Sequence, residues 1–168
     1  IHGGNTLRKV VDYFCHLAVK PDFYSQMVKD DEFDNTEYAS KIKWLARDNE
    51  DIYDPDYNDM LRVAFMYSFD RAKLADLVSL LSGRDFETRE FKEDIVEDSY
   101  NRLREGIKQF INEHNFNQFV LAIKGAGYKS RKQLGSQMTL DFAYLLYLKL
   151  LNDSEIPHDQ IKHHVQKW

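Results

Sequence analysis

Apolar side chains recur along this chain every three or four residues with polar positions between them, the spacing of helices that bury one face. The first stripe, Leu7, Val10, Val11, Phe14 and Ala18, predicts a helix over 5–19. Asn5 or Thr6 can accept from the free amides of its first turn, and Pro21 ends it. A weaker segment follows over 22–28. Asn35 and Thr36 offer caps for the next helix, in which Tyr38, Ile42, Trp44 and Leu45 supply the contacts through Asp48. Asp48 to Asp59 is acidic and carries Pro55, which disfavours helix before Asp56 and reads as a solvated loop.

The stripe then resumes with Met60, Leu61, Ala64, Phe65, Tyr67 and Ser68 and runs to Phe69. Leu74, Leu77, Val78 and Leu81 form a short helix with one strongly apolar face, expected deep in the core, and Gly83 stands where a left-handed C-terminal cap is wanted. The longest element is predicted over 87–112. Its stripe is Phe91, Ile95, Tyr100, Leu103, Ile107 and Phe110, with Glu93, Glu97, Arg102 and Arg104 facing water. Gly106 lies inside it at a cost of about 1 kcal/mol relative to alanine, which points to a kink or a close helix crossing.

A shorter helix over 115–124 carries Phe116, Phe119, Val120 and Ile123 and stops at Gly125 and Gly127. Ser136 caps a helix to Leu151 that is apolar on nearly every side, which predicts a place at the centre of a bundle. Pro157 opens a last helix in its first turn, still running at Trp168. There is no hairpin dipeptide between alternating runs and no internal repeat. The expected fold is all-α: a single-domain irregular bundle of about seven to eight helices. The chain opens in a turn and stops mid-helix, so the expectation is a fragment of a larger protein.

Composition narrows the function classes. The 168 residues hold 7 Gly and 3 Pro, about half of the roughly 12% in average usage, so connections are few and elements long. With 43% hydrophobic residues the chain can build a core, whereas a mean hydropathy of −0.60 and the lack of any long apolar run argue against a membrane span. One cysteine allows no internal disulfide, and no signal-peptide pattern opens the chain, so the expected compartment is the cytoplasm. A net charge of −5 speaks against wrapping nucleic acid with the whole surface while leaving room for a local basic patch.

Candidate chemistry is sparse. The acidic run beginning at Asp48 fails as an EF-hand, because Tyr53 occupies the sixth position, where the turn needs glycine, and the twelfth is Asp59. Among the six histidines, His163 and His164 are adjacent on a helix and diverge, and His158 is off their face, so no metal site is expected. Cys15 and His16 are neighbours whose side chains do not face each other on a helix. The remaining feature is a basic cluster, Lys124, Lys129, Arg131 and Lys132, free of acids and enclosing Tyr128, in the loop between two helices. Its cations suit phosphate oxygens and Tyr128 suits stacking on a base or ribose. The glycines do not follow phosphate-loop spacing, and the alternative is an ordinary solvated loop. These five residues are the candidate nucleic-acid contacts; no catalytic residue, cofactor or metal is expected.

Two segments resemble a known family. One comprises Lys43-Trp44-Leu45-Ala46-Arg47-Asp48-Asn49, Tyr53-Asp54-Pro55-Asp56-Tyr57, Leu61-Arg62-Val63-Ala64-Phe65 and Leu77-Val78-Ser79-Leu80-Leu81-Ser82-Gly83-Arg84. The other comprises Phe110-Ile111-Asn112-Glu113, Asn115-Phe116 and Leu140-Asp141-Phe142-Ala143-Tyr144 with Leu146-Tyr147-Leu148, ending at Trp168. Together they resemble the helical C-terminal half of the GmrSD-type proteins, some of which belong to restriction systems that attack modified phage DNA. The run around Phe142 is the most specific part, and Asp141 stands where the family commonly has asparagine.

The resemblance implies that the chemistry belongs to an N-terminal ParB-like domain with an Asp-Gly-Gln-Arg-type motif, which does not occur in these residues. The family's Gly-Arg-Tyr segment would follow Trp168. The resulting expectation is a non-catalytic helical module that docks on the ParB-like nucleotidase or nuclease domain of its own chain and helps to hold DNA. The alternatives are a stand-alone nucleic-acid-binding module and a purely structural or oligomerising bundle in which Trp168 marks a contact surface.

Overall fold

The computed structural model describes Trp44, Leu45, Asn49 and residues 51–55, 57–81, 83–85 and 88–167. The helices expected over 5–19 and 22–28, most of that over 35–48, the pair Cys15 and His16, and Trp168 lie outside the described residues; Trp44 and Leu45 are helical. The described part is all-α. It contains no strand among the described residues, and an isolated antiparallel bridge joins Arg84 to Phe91. In chain order the helices are α1 (Tyr57–Phe69), α2 (Leu74–Leu81), α3 (Glu93–Phe110), α4 (Glu113–Gly125), a 3-10 turn (Arg131–Gln133), α5 (Gln137–Leu151) and α6 (His158–Lys167).

The helix ends follow the polar chemistry of the sequence. Asn112 accepts from the Asn115 amide at the start of α4, and Ser136 accepts from the Thr139 amide at the start of α5. Gly83 (φ +83°) closes α2 as expected. Its amide donates to the Leu80 carbonyl and that of Arg84 to the Ser79 carbonyl, the bond pair of a Schellman motif. Leu77 and Leu80 of this helix are buried.

Three expectations are corrected. The long helix begins at Glu93, six residues later than the stripe suggested. Before it, Asp85 accepts from the Thr88 amide and the Glu90 carbonyl accepts from the Asp85 amide, so this segment's hydrogen bonds close a turn. Arg89 there adopts φ +58°, and Phe91, placed on the stripe, is exposed. Second, the acidic stretch is not a solvated loop throughout: Ile52 and Tyr53 are fully buried, because their apolar bodies turn inward while Asp51 remains exposed. Third, α5 is not enclosed on all sides. Leu140, Asp141, Ala143, Tyr144, Tyr147 and Leu148 are buried, whereas Met138 and Phe142, one turn apart, are exposed. The central helix is α1, where Met60, Leu61, Val63, Ala64, Phe65 and Met66 are all buried. It packs chiefly on α3 and then on α5, while α6 lies against α4 and α5 through Ile161 and Val165.

Aromatic rings fill the middle. Tyr53 stacks on Phe116 at 5.4 Å between centroids, and Tyr144 meets Phe116 edge-on at 5.5 Å and Phe110 at 5.3 Å. Such offset and edge-to-face pairs add to the burial of their area. Among the described residues no helix is long and apolar enough to cross a membrane.

Candidate functional site

The polar chemistry of the described residues gathers where residues 51–55, the first half of α1 and the first turns of α5 meet. Asp141, on the inner face of α5, has no solvent exposure. Tyr53 donates its hydroxyl to Asp141 Oδ1 (2.9 Å), and Arg62 on α1 donates Nη1 to Asp141 Oδ2 (3.1 Å). The same guanidinium nitrogen stands 3.5 Å from Oδ1 of Asp59, one turn earlier on α1. Gln137, in the first turn of α5, donates Nε2 to Asp59 Oδ2 (3.2 Å) and to the Asp54 carbonyl (2.9 Å). That pair of acceptors fixes the amide's orientation, and its Oε1 is buried with no hydrogen-bond partner among the described residues. Five side chains from three segments thus form one network.

Its electrostatics follow from burial. Loss of solvation, first of all, pushes Asp141 from 3.8 up to about 7; the negative charge of Asp59 adds to this, while the Tyr53 and Arg62 hydrogen bonds pull the other way. The Tyr53 hydroxyl lies well above its ordinary value, because of burial and then the neighbouring Asp141 carboxyl. Tyr53 therefore acts as a permanent donor, not as a base. The same holds for Tyr144, whose hydroxyl burial raises well above the ordinary value and which donates to the Phe110 carbonyl at 2.8 Å.

Beside this network lies an open hollow of about 610 Å³, lined by Asp54, Asp59, Arg131, Lys132, Gly135, Ser136 and Gln137. The 3-10 turn that carries Arg131 and Lys132 is pinned at both ends. Gln133 Oε1 accepts from the Lys129 and Ser130 amides (2.6 and 3.1 Å), and the Arg131 amide donates to the Asp51 carbonyl (2.8 Å). Gly135 at φ +73° then turns the chain into α5. The Arg131 guanidinium reaches only 4.0 Å from Asp54 Oδ2, and both side chains are about half exposed.

Of the five residues singled out in the sequence, Arg131 and Lys132 share the wall of this hollow. Lys124, in the last turn of α4, and Tyr128 and Lys129, after it, are exposed and do not line it. His114, His158, His163 and His164 are all exposed. Among the described residues no three His, Cys, Asp or Glu side chains converge as metal ligands would. The buried network was not singled out in the sequence. Its signal was Asp141, a lone acid within the apolar run of α5, with Arg62 on another helix as the side chain able to meet it. No family model, curated protein or solved structure matches the chain.

Proposed function

We propose that this chain is a non-catalytic helical module of a GmrSD-like protein, a cytoplasmic single-domain bundle of about seven to eight helices. It supports a ParB-like nucleotidase or nuclease domain of the same polypeptide in defence against foreign DNA. The family part of this reading rests on the sequence resemblance. The non-catalytic part is carried by one observation: both oxygens of the buried Asp141 carboxyl are occupied by the protein's own donors, Tyr53 and Arg62. The Asp141 carboxyl is thus spent on joining α5 to α1 and to residues 51–55.

The test is direct. The purified chain, incubated with nucleoside triphosphates and with duplex DNA in the presence of magnesium, is expected to give no hydrolysis or strand cleavage above a buffer blank. Turnover above the blank that is lost in a variant of a residue described here would overturn the non-catalytic reading. For docking, the chain is expected to co-purify with the remainder of its polypeptide expressed separately.

A second reading, a nucleic-acid-binding module, is favoured by the open hollow whose wall Arg131 and Lys132 share. Phosphate contacts would come from Lys124, Lys129, Arg131 and Lys132, and stacking from Tyr128. Salt-dependent binding that Arg131→Ala with Lys132→Ala abolishes would support it, and absence of binding at low salt would end it.

A further inference from the structure

We propose that the hollow at the start of α5 is a binding site for a ribose phosphate, whose phosphate lies on Arg131 and Lys132 and whose 2′-hydroxyl lies on the Asp54 carboxylate. The proposal rests on the reading of this hollow as a phosphate-contacting surface and goes further in naming the sugar.

The hollow's polar groups differ in how far the fold already engages them. Asp59 is engaged: Arg62 stands 3.5 Å from one carboxylate oxygen, and Gln137 donates to the other at 3.2 Å. Ser136 Oγ accepts from the Thr139 amide. Asp54, Arg131 and Lys132 are not held in this way. The Asp54 carboxylate accepts no hydrogen bond among the described residues, and the Arg131 guanidinium approaches it only to 4.0 Å. Lys132 forms no ion pair among the described residues. Gln137, in the same wall, commits its Nε2 to Asp59 and to the Asp54 carbonyl, which leaves its buried Oε1 without a donor among the described residues. A buried acceptor in that state calls for a donor.

These groups select the chemistry of a ligand. A bare anion suits the two cations but meets the Asp54 carboxylate, and a neutral sugar suits Asp54 but leaves the cations unused. A phosphate ester of a sugar with free hydroxyls meets both needs. Its phosphate oxygens accept charge-assisted hydrogen bonds from Arg131 and Lys132. Its hydroxyl donates to the carboxylate, as ribose hydroxyls do to acidic side chains in nucleotide sites. Because Arg131 stands next to Asp54, a phosphate and a hydroxyl a few bonds apart on one small molecule reach both. The volume of about 610 Å³ lies within the roughly 300–1,000 Å³ of small-molecule sites. The backbone that carries the cations needs no ordering on binding, since Gln133 and the Asp51 carbonyl already pin the turn.

Titration calorimetry at low salt with adenosine 5′-monophosphate and its 2′-deoxy counterpart tests this, with inorganic phosphate as the bare-anion probe. The ribonucleotide is expected to bind about five- to tenfold more tightly than the deoxynucleotide, the effect of one hydrogen bond to a half-exposed carboxylate. Inorganic phosphate should bind more weakly than the ribonucleotide. In Asp54→Asn the ribose preference should fall below about twofold while phosphate binding persists. Arg131→Ala with Lys132→Ala should remove binding of all three probes. These side chains are solvent-accessible, so the substitutions leave the core untouched. Ribo- and deoxyribo-oligonucleotides of one sequence, without terminal phosphates, form a second pair. A ribose preference confined to the mononucleotides assigns a free ligand, and one shown by the oligonucleotides assigns an RNA strand. Equal binding of ribo and deoxy forms in both pairs would overturn the proposal and leave the phosphate reading standing, whereas no binding by any of these probes would end both. A ribose preference that Asp54→Asn leaves intact, or inorganic phosphate binding as tightly as the ribonucleotide, would also refute it.

Discussion

Gly106 of α3 lies directly against the backbone of Ala64 on α1: a Cβ built on the glycine would sit 2.6 Å from the Ala64 carbonyl oxygen and 2.6 Å from Ser68 Oγ. The approach is sealed from both sides. Ser68 donates to the Arg102 carbonyl (2.8 Å), Arg102 donates back to the Ser68 carbonyl, and its guanidinium covers the Phe69 ring at 4.3 Å. A Ser68 rotamer change can relieve one of the two contacts, but the carbonyl is backbone within the central helix and cannot withdraw without moving α1.

Gly106→Ala is therefore expected to destabilise the fold although alanine is the better helix former. Overpacking of this kind costs about 1–3 kcal/mol, more than the about 1 kcal/mol gained in helix propensity. A lower midpoint in urea with an unchanged slope checks it. An unchanged or higher midpoint would mean that the crossing is looser than 2.6 Å implies.

Tyr144→Phe isolates a single hydrogen bond one turn further along, at the C-terminal end of α3. The hydroxyl satisfies the carbonyl of Phe110, the last residue of that helix, at 2.8 Å in surroundings where Phe110, Phe116 and Tyr144 are all buried. Phenylalanine fills the same space but leaves a buried acceptor without its donor, which costs about 1–3 kcal/mol. Chemical denaturation gives the loss, and faster amide exchange in the last turn of α3 locates it.

Much of the fold was legible because it depends on local signals. Ser136 before an apolar run, Gly83 after one, and a glycine inside a long stripe each specify a cap or a crossing from neighbours in sequence. What was not legible depends on groups that meet only after folding. Tyr53 lies in an acidic stretch that reads as solvated, yet its ring enters the aromatic core, because its partners Phe116 and Asp141 are 63 and 88 residues away. The start of α3 was misplaced for the same reason, since the Arg84–Phe91 bridge competes with helix in a way that apolar spacing does not reveal. As for the basic cluster, its members are adjacent in sequence, but only the pinned 3-10 turn decides that Arg131 and Lys132 face the hollow.

Asp141→Asn tests the energetics of the buried network, and asparagine is the residue the resemblance leads one to expect there. The amide oxygen can still accept from Tyr53 or Arg62, the amide nitrogen can donate to Asp59, and the carboxyl that burial raises is gone. In the unsubstituted chain the carboxyl's folded value of about 7 against 3.8 unfolded favours the native state in acid, an advantage lost as pH rises through about 7. Relative to the original, the asparagine variant should thus gain on the order of 3 kcal/mol between pH 4 and pH 8, with most of the change below about pH 7. Thermal midpoints of both chains across that span provide the measurement. A difference independent of pH would show that Arg62 alone neutralises Asp141.

The last prediction concerns the hollow and uses salt as the reporter. Each phosphate neutralised on duplex DNA contributes a slope of about −0.9 to the dependence of log affinity on log salt. If Arg131 and Lys132 each engage a phosphate, changing both to alanine should make the slope shallower by about 1.8, while Lys124→Ala, outside the hollow, should change it by about 0.9 at most. Asp54 supplies the discriminating variant. Its carboxylate stands 4.0 Å from the Arg131 guanidinium and competes with any phosphate for it, so Asp54→Asn should tighten binding where Arg131 is a contact. The gain expected from releasing a half-exposed pair is modest, about two- to fivefold, which corresponds to under about 1 kcal/mol. Fluorescence anisotropy with a labelled duplex, titrated at several salt concentrations, reads both quantities. Binding that Asp54→Asn leaves unchanged while Lys124→Ala abolishes it would move the contact surface from the hollow to the end of α4.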